Sequence, residues 1–117
     1  MMRKGDLKFG DIVWTGFDPS VGHEFQDKRP AVVIQSDAQL QASNLVTVIP
    51  LTSKIGNRMP DDIMITPDAQ NNLRSDSIAK VYSISSFDYQ RFDKKIGEID
   101  TTTVSAIKDY LKKHFDL

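Results

Sequence analysis

Pro30-Ala31-Val32-Val33-Ile34 is an unbroken apolar run of small and β-branched residues opened by a proline. Such a run suits a strand buried on both faces. Downstream, the polar stretch 36–44 holds one loose helical turn. Leu45-Val46-Thr47-Val48-Ile49-Pro50-Leu51 reads as the next strand, and Pro50 places that end on a sheet edge. If the two strands form a hairpin in which Gln35 faces Val46, paired residue numbers sum to 81 and Arg29 falls opposite Thr52. Residues opposite each other on an antiparallel ladder have Cβ atoms about 4.5–5.5 Å apart.

Working outward, Asp11-Ile12-Val13-Trp14-Thr15-Gly16-Phe17 is a further β-type run that ends at Asp18-Pro19. The segment 18–28 is polar and without periodicity, which predicts a long exposed loop. Asp62–Ile65, Ser77–Tyr82 and Lys95–Ile99 read as three more short strands, with a charged bend over 88–94. The period then changes. Val104, Ile107, Leu111 and Phe115 line one stripe of an amphipathic helix, capped by Asp100 or Thr101. Five to seven short strands in one small domain bury both faces by curling into a barrel, and the helix plugs an open end or covers a side.

The chain has 117 residues, a single domain's length, with 15 Lys and Arg against 16 Asp and Glu. A net charge of −1 excludes nucleic-acid binding through whole-body positive charge but leaves room for a local basic cleft. With no cysteine, disulfide scaffolds and Cys-ligated metal sites are excluded, and two histidines do not make a zinc site. No metal or cofactor is expected. Met1-Met2-Arg3-Lys4 leads into no apolar segment, so neither a signal peptide nor a membrane span is expected, and the cytoplasm is the simplest compartment.

Phosphate loops, nucleophile elbows and zinc-binding helices are missing from the sequence. Asp61-Asp62 is an adjacent carboxylate pair, but neighbouring strand residues point to opposite faces, so a solvated strand start is expected there. His23 and Glu24 lie on the long loop, where ligand contacts concentrate. The more informative pair is Arg29 and Thr52. A guanidinium fork matches phosphate geometry, and the hydroxyl adds a donor beside it. Ser53 and Lys54 adjoin that surface, and Lys28, Arg58 and Lys80 extend it into a basic groove. The same residues also fit an ordinary strand start and strand end among solvated charges. Trp14, Phe17 and Phe25 offer stacking faces for bases.

Gly10-Asp11-Ile12-Val13-Trp14, Phe17-Asp18-Pro19-Ser20-Val21-Gly22-His23-Glu24, Arg29-Pro30-Ala31-Val32-Val33-Ile34 and Pro50-Leu51-Thr52-Ser53 together resemble the MazF/PemK toxins. Asp76-Ser77-Ile78 and Lys95-Ile96-Gly97 follow in the family's order. The resemblance implies a mainly β fold, a small SH3-like barrel of five to seven short strands with a C-terminal α-helix, over residues 1–117 and working as a homodimer. It also implies a metal-independent endoribonuclease that cuts single-stranded RNA, held in check by a cognate antitoxin with an acidic disordered tail. The catalytic positions carried over are Arg29 and Thr52. His23, Glu24, Lys28, Ser53, Lys54 and Lys80 are the expected substrate contacts. Tyr82-Ser83-Ile84-Ser85 departs from the family's usual acidic, Gln, hydrophobic, Arg pattern. Two other functions share this fold: a gyrase-poisoning toxin and a non-catalytic SH3-like binding module.

Overall fold

The computed structural model describes residues 4–16 and 28–117. His23, Glu24, Phe17 and Phe25, and nearly all of the expected loop, lie outside the described residues. Seven strands, β1 (Asp11–Gly16), β2 (Lys28–Val33), β3 (Leu45–Thr52), β4 (Ile63–Ile65), β5 (Ser77–Ala79), β6 (Ser85–Asp88) and β7 (Phe92–Glu98), form one sheet. Two helices flank it, α1 (Asp37–Ala42) and α2 (Thr101–Phe115). Every pairing is antiparallel, in the order β4-β5-β3-β2-β1-β7, with β6 also on β3.

The hairpin register is the one read from the sequence. Ala31 pairs with Pro50, Val32 with Ile49 and Val33 with Val48, so each pair sums to 81. Ile34 N–H donates to Thr47 O, and Gln35 Oε1 accepts Thr47 N–H at 2.8 Å, which ties the hairpin's outer end. The ladder ends at Ala31–Pro50, two positions short of Arg29 and Thr52.

Alternation along β2 divides the interior in two. Ala31 and Val33 join Val13, Val46, Val48 and Phe92 in one core, closed by Leu7 and by Leu40 of α1. Val32 joins Ile12, Ile49 and Leu51 in a second core on the opposite face, covered by Ile107 and Tyr110 of α2. All of Ala31, Val32 and Val33 are fully buried, which is why the run carries no polar residue. The helix therefore covers a side of the sheet. Asp100 caps it, its carboxylate accepting Thr103 N–H at 2.7 Å.

The run β6-β3-β2-β1-β7 begins and ends with strands that are consecutive in the chain. Only Tyr89–Arg91 joins them. Two ends tied by three residues force the sheet to curl around the first core, giving an SH3-like half-closed barrel. No β6–β7 ladder completes it among the described residues.

Three expectations change. Pro50 does not mark a sheet edge: β3 is the central strand, and Pro50 is buried. Its missing N–H falls where β3 exchanges one neighbour for another, after the Val48–Ser85 pair with β6 and before the Leu51–Ala79 pair with β5. Its carbonyl accepts Lys80 N–H at 2.9 Å. The strand expected over 77–82 stops at Ala79 and becomes a 3-10 turn at Val81–Ser83. The charged bend over 88–94 is instead a short 3-10 turn, and β7 already starts at Phe92, because that ring is needed in the first core.

Two glycines hold places that no other residue fits. Gly10 has φ +93°, and a Cβ there would stand 3.4 Å from Val104 of α2. Gly97 in β7 lies against the backbone of the 70–71 segment, where a Cβ would come within 2.5 Å of Gln70 O. Among the described residues no helix is long and apolar enough to cross a membrane.

Candidate nucleic-acid interface

Where β1, β2 and β7 run out, a cleft of ≈ 780 Å³ opens. Five cations line it, Lys28, Arg29, Arg74, Lys94 and Lys95, and none of its described lining residues is acidic. That local excess is the basic cleft a chain of net charge −1 can still carry. Trp14, Pro30 and Ile96 give it apolar walls. Ladder geometry explains the arrangement: Trp14 on β1 stands between Pro30 on β2 and Lys94 on β7.

The cations differ in how they are held. Lys28 forms an ion pair with Asp93. Lys95 reaches the buried Asp11 at 3.2 Å and Glu98 at 3.1 Å. Burial opposes the charge on Lys95, but its hydrogen bonds to Glu98 and Asp11 outweigh it and hold the ammonium above its ordinary range. The same bond to Lys95 keeps the Glu98 carboxyl below the usual carboxylate range. Asp11 also accepts Lys8 N–H at 2.9 Å, fixing the entry to β1.

Of the residues expected at the site, Arg29, Lys28 and Ser53 line the cleft. Thr52 closes the end of β3 nearly buried, with its Oγ1 accepting Lys54 N–H at 3.2 Å. Lys54 is exposed and is not among the lining residues. Lys80 is elsewhere: its ammonium pairs with the fully buried Asp62 at 2.5 Å. Asp62 also accepts Met59 N–H at 2.8 Å, so it is a buried structural carboxylate, where a solvated strand start was expected. Arg58 donates to Asp62 O and also lies outside the cleft.

Arg74, Lys94 and Lys95 were not singled out by their charge in the sequence. Two β-bulges interrupt the β1–β7 ladder, so counting along the chain does not bring Lys94 to Trp14. The adjacent Lys94-Lys95 pair was the available signal.

The curled sheet, its covering helix and this cation-lined cleft define a small SH3-like protein. Residues 8–115 match the PemK-like, MazF-like toxins of type II toxin–antitoxin systems, and the chain belongs to that family. Among curated relatives, endoribonuclease MazF9 of Mycobacterium tuberculosis is 31% identical over 122 residues, covering 100% of this chain and 98% of its own. Endoribonuclease EndoA of Bacillus subtilis is 29% identical over 108 residues, 91% of each chain. The fold is shared with MazF from Deinococcus radiodurans at a TM-score of 0.78 and 22% identity, over 95% of this chain and 97% of that one. A MazE–MazF structure from the same organism gives a TM-score of 0.74 over the same coverage.

Proposed function

We propose that the protein is an endoribonuclease toxin that cuts single-stranded RNA in this cleft without a metal ion. The observation that carries the reading is five cations, Arg29 among them, gathered around one cleft in a chain whose total charge is −1; extending the β2–β3 register sets Thr52 opposite Arg29. Relatives named endoribonucleases support the same activity.

The reaction sends the 2′-oxygen of one ribose onto its own 3′-phosphate. The 2′-proton leaves to a base, the bond to the next 5′-oxygen breaks, and that oxygen takes up a proton. The products are a 2′,3′-cyclic phosphate and a 5′-hydroxyl. Arg29 clamps the phosphate and offsets the charge that grows on its oxygens, the kind of aimed donor that usually contributes most. It acts electrostatically, since a guanidinium with pKa above ~12 is a poor proton carrier. Thr52 Oγ1 already accepts from Lys54 N–H, so its own proton is free to donate to a phosphoryl oxygen. Lys28 and Ser53 border the scissile group, Lys54 meets the strand at the rim, and Trp14 offers a stacking face. His23 or Glu24 serves as base: an imidazole near ~6.5 suits the transfer, and a carboxylate is the other choice.

The partners that go with this reading are an antitoxin whose acidic, disordered tail occupies the same cations, and a second copy of the chain. Carboxylate and phosphate compete for Arg29 with the same bidentate geometry. The cytoplasm, where mRNA is found, is the proposed compartment. Incubation of the pure protein with a long RNA in EDTA tests the activity. Fragments ending in 5′-hydroxyl and 2′,3′-cyclic phosphate are expected. RNA left intact overturns the nuclease and favours a binding module.

A further inference from the structure

We propose that Arg74 and Lys94 form a second phosphate subsite in the cleft, which holds the RNA backbone away from the bond being cut. This rests on the nuclease reading above and adds residues to it.

Among the cleft cations, Lys28 is engaged by Asp93, and Lys95 by Asp11 and Glu98. Arg74 and Lys94 are both exposed, and among the described residues neither has an ion-pair partner. They are charges the fold does not use for itself.

The backbones that carry them are also fastened to each other. Arg74 follows a loop that is hydrogen-bonded throughout. Asp68 Oδ1 accepts the N–H groups of Gln70 and Asn71. The buried Asn71 accepts those of Asp68 and Leu73 and donates to Thr66 O. This loop is fastened to β7, the strand that carries Lys94. Asn72, at φ 56°, donates from Nδ2 to Ile96 O at 2.9 Å. Glu98 N–H donates to Gln70 O at 3.1 Å, and Gly97 lets the two backbones meet. A loop braced this way holds the Arg74 backbone at a set place on the cleft wall, so the ordering left on binding is that of the side chains.

Lys94 pairs with Trp14, and Trp14 with Pro30, the neighbour of Arg29. Two inter-strand spacings, about 9.6 Å, therefore separate the backbones that carry Lys94 and Pro30. The Arg74–Lys94 pair serves a different phosphate from the one clamped by Arg29, and single-stranded RNA of more than one linkage is the ligand that spans both.

The test uses Arg74→Ala, Lys94→Ala and the double variant, with Lys112→Ala on the exposed last turn of α2 as a charge control. KM and kcat are measured on a long single-stranded RNA and on a short oligonucleotide around the cleavage site, across a salt series. Trp14, the chain's one tryptophan, reports cleft occupancy by fluorescence with a 2′-deoxy analogue that cannot be cut. Each cleft variant is expected to raise KM on long RNA by roughly five-fold, the upper end for one exposed charge contact. The log–log salt slope should become shallower by about 0.7 per cation removed. The effect should shrink on the short oligonucleotide. KM and slope equal to those of Lys112→Ala, in a wild type that cleaves, overturn this subsite alone. A loss confined to kcat does the same. A wild type that neither binds nor cuts RNA overturns the nuclease reading and the subsite together.

Discussion

The cleft and the C-terminal end of α2 are both rich in charged groups, but they treat charge in opposite ways. At the end of α2, Asp61 accepts from Tyr82 Oη at 2.7 Å and from Lys113 Nζ at 3.2 Å. Its neighbour Asp62 holds Lys80, and Tyr110 stacks on His114 with its hydroxyl 2.9 Å from Nδ1. Charges there are spent on attaching the helix to the sheet's 61–62 and 80–82 segments. At the cleft, two cations face solvent uncompensated. The same residue type is paired within the fold in one region and left facing solvent in the other, and only its partner tells them apart.

The largest effect expected belongs to the cleft. Arg29→Ala should lower kcat/KM by about 10²–10³, the usual cost of losing one aimed transition-state donor. Arg29 enters β2 ahead of its buried residues, so the melting temperature should move little. Thr52→Ala should fall less far. Wild-type cleavage by folded Arg29→Ala would remove the cleft from the chemistry altogether.

Lys80→Ala probes the other side of the comparison. Asp62 has no exposed surface, and its Oδ1 makes no hydrogen bond among the described residues, so Lys80 supplies most of the compensation. Removing one partner of such a pair costs about 3 kcal/mol. Urea unfolding should show that loss, while kcat/KM of the folded fraction stays near wild type. A variant of normal stability with weakened RNA binding would return Lys80 to the substrate groove and erase the division between the regions.

The smallest effect is in pH. The hydrogen bond from Tyr82, and then that from Lys113, hold the Asp61 carboxyl below its ordinary value of 3.8, while Tyr82 is pushed up by the same bond. A lowered folded-state pKa contributes stability above the unfolded value and loses it as pH falls through the folded one. Stability should therefore decline below about pH 4, and Asp61→Asn should make that decline shallower. An unchanged acid limb would mean that the attachment of α2 owes nothing to this carboxylate.

Short-range patterns were legible in the residues themselves. The unbroken run 31–34 required two buried faces, and Gln35 facing Val46 led to a register that the structure keeps at every β2–β3 pair. A hairpin register propagates without ambiguity, because a one-residue slip would turn Val32 out of its core. The 3.6-residue stripe of α2 and its Asp100 cap are equally local. Arg29 and Thr52 followed from that register and from the family resemblance.

What the sequence by itself determined, then, was the β2–β3 hairpin with its register, the approximate places of β1, β4, β5 and β7, and the covering helix, while β6 was not read from it. Tertiary structure alone decided where Pro50 lies, that Lys80 belongs to Asp62, and that Arg74, Lys94 and Lys95 join Lys28 around Trp14. The β1–β7 pairing spans some eighty residues and passes through two bulges, and the Arg74 loop is placed by Gly97, far along the chain. Local periodicity carries no record of such contacts. They arise when a sheet curls to bury two cores and leaves some charges facing outward beside the cleft.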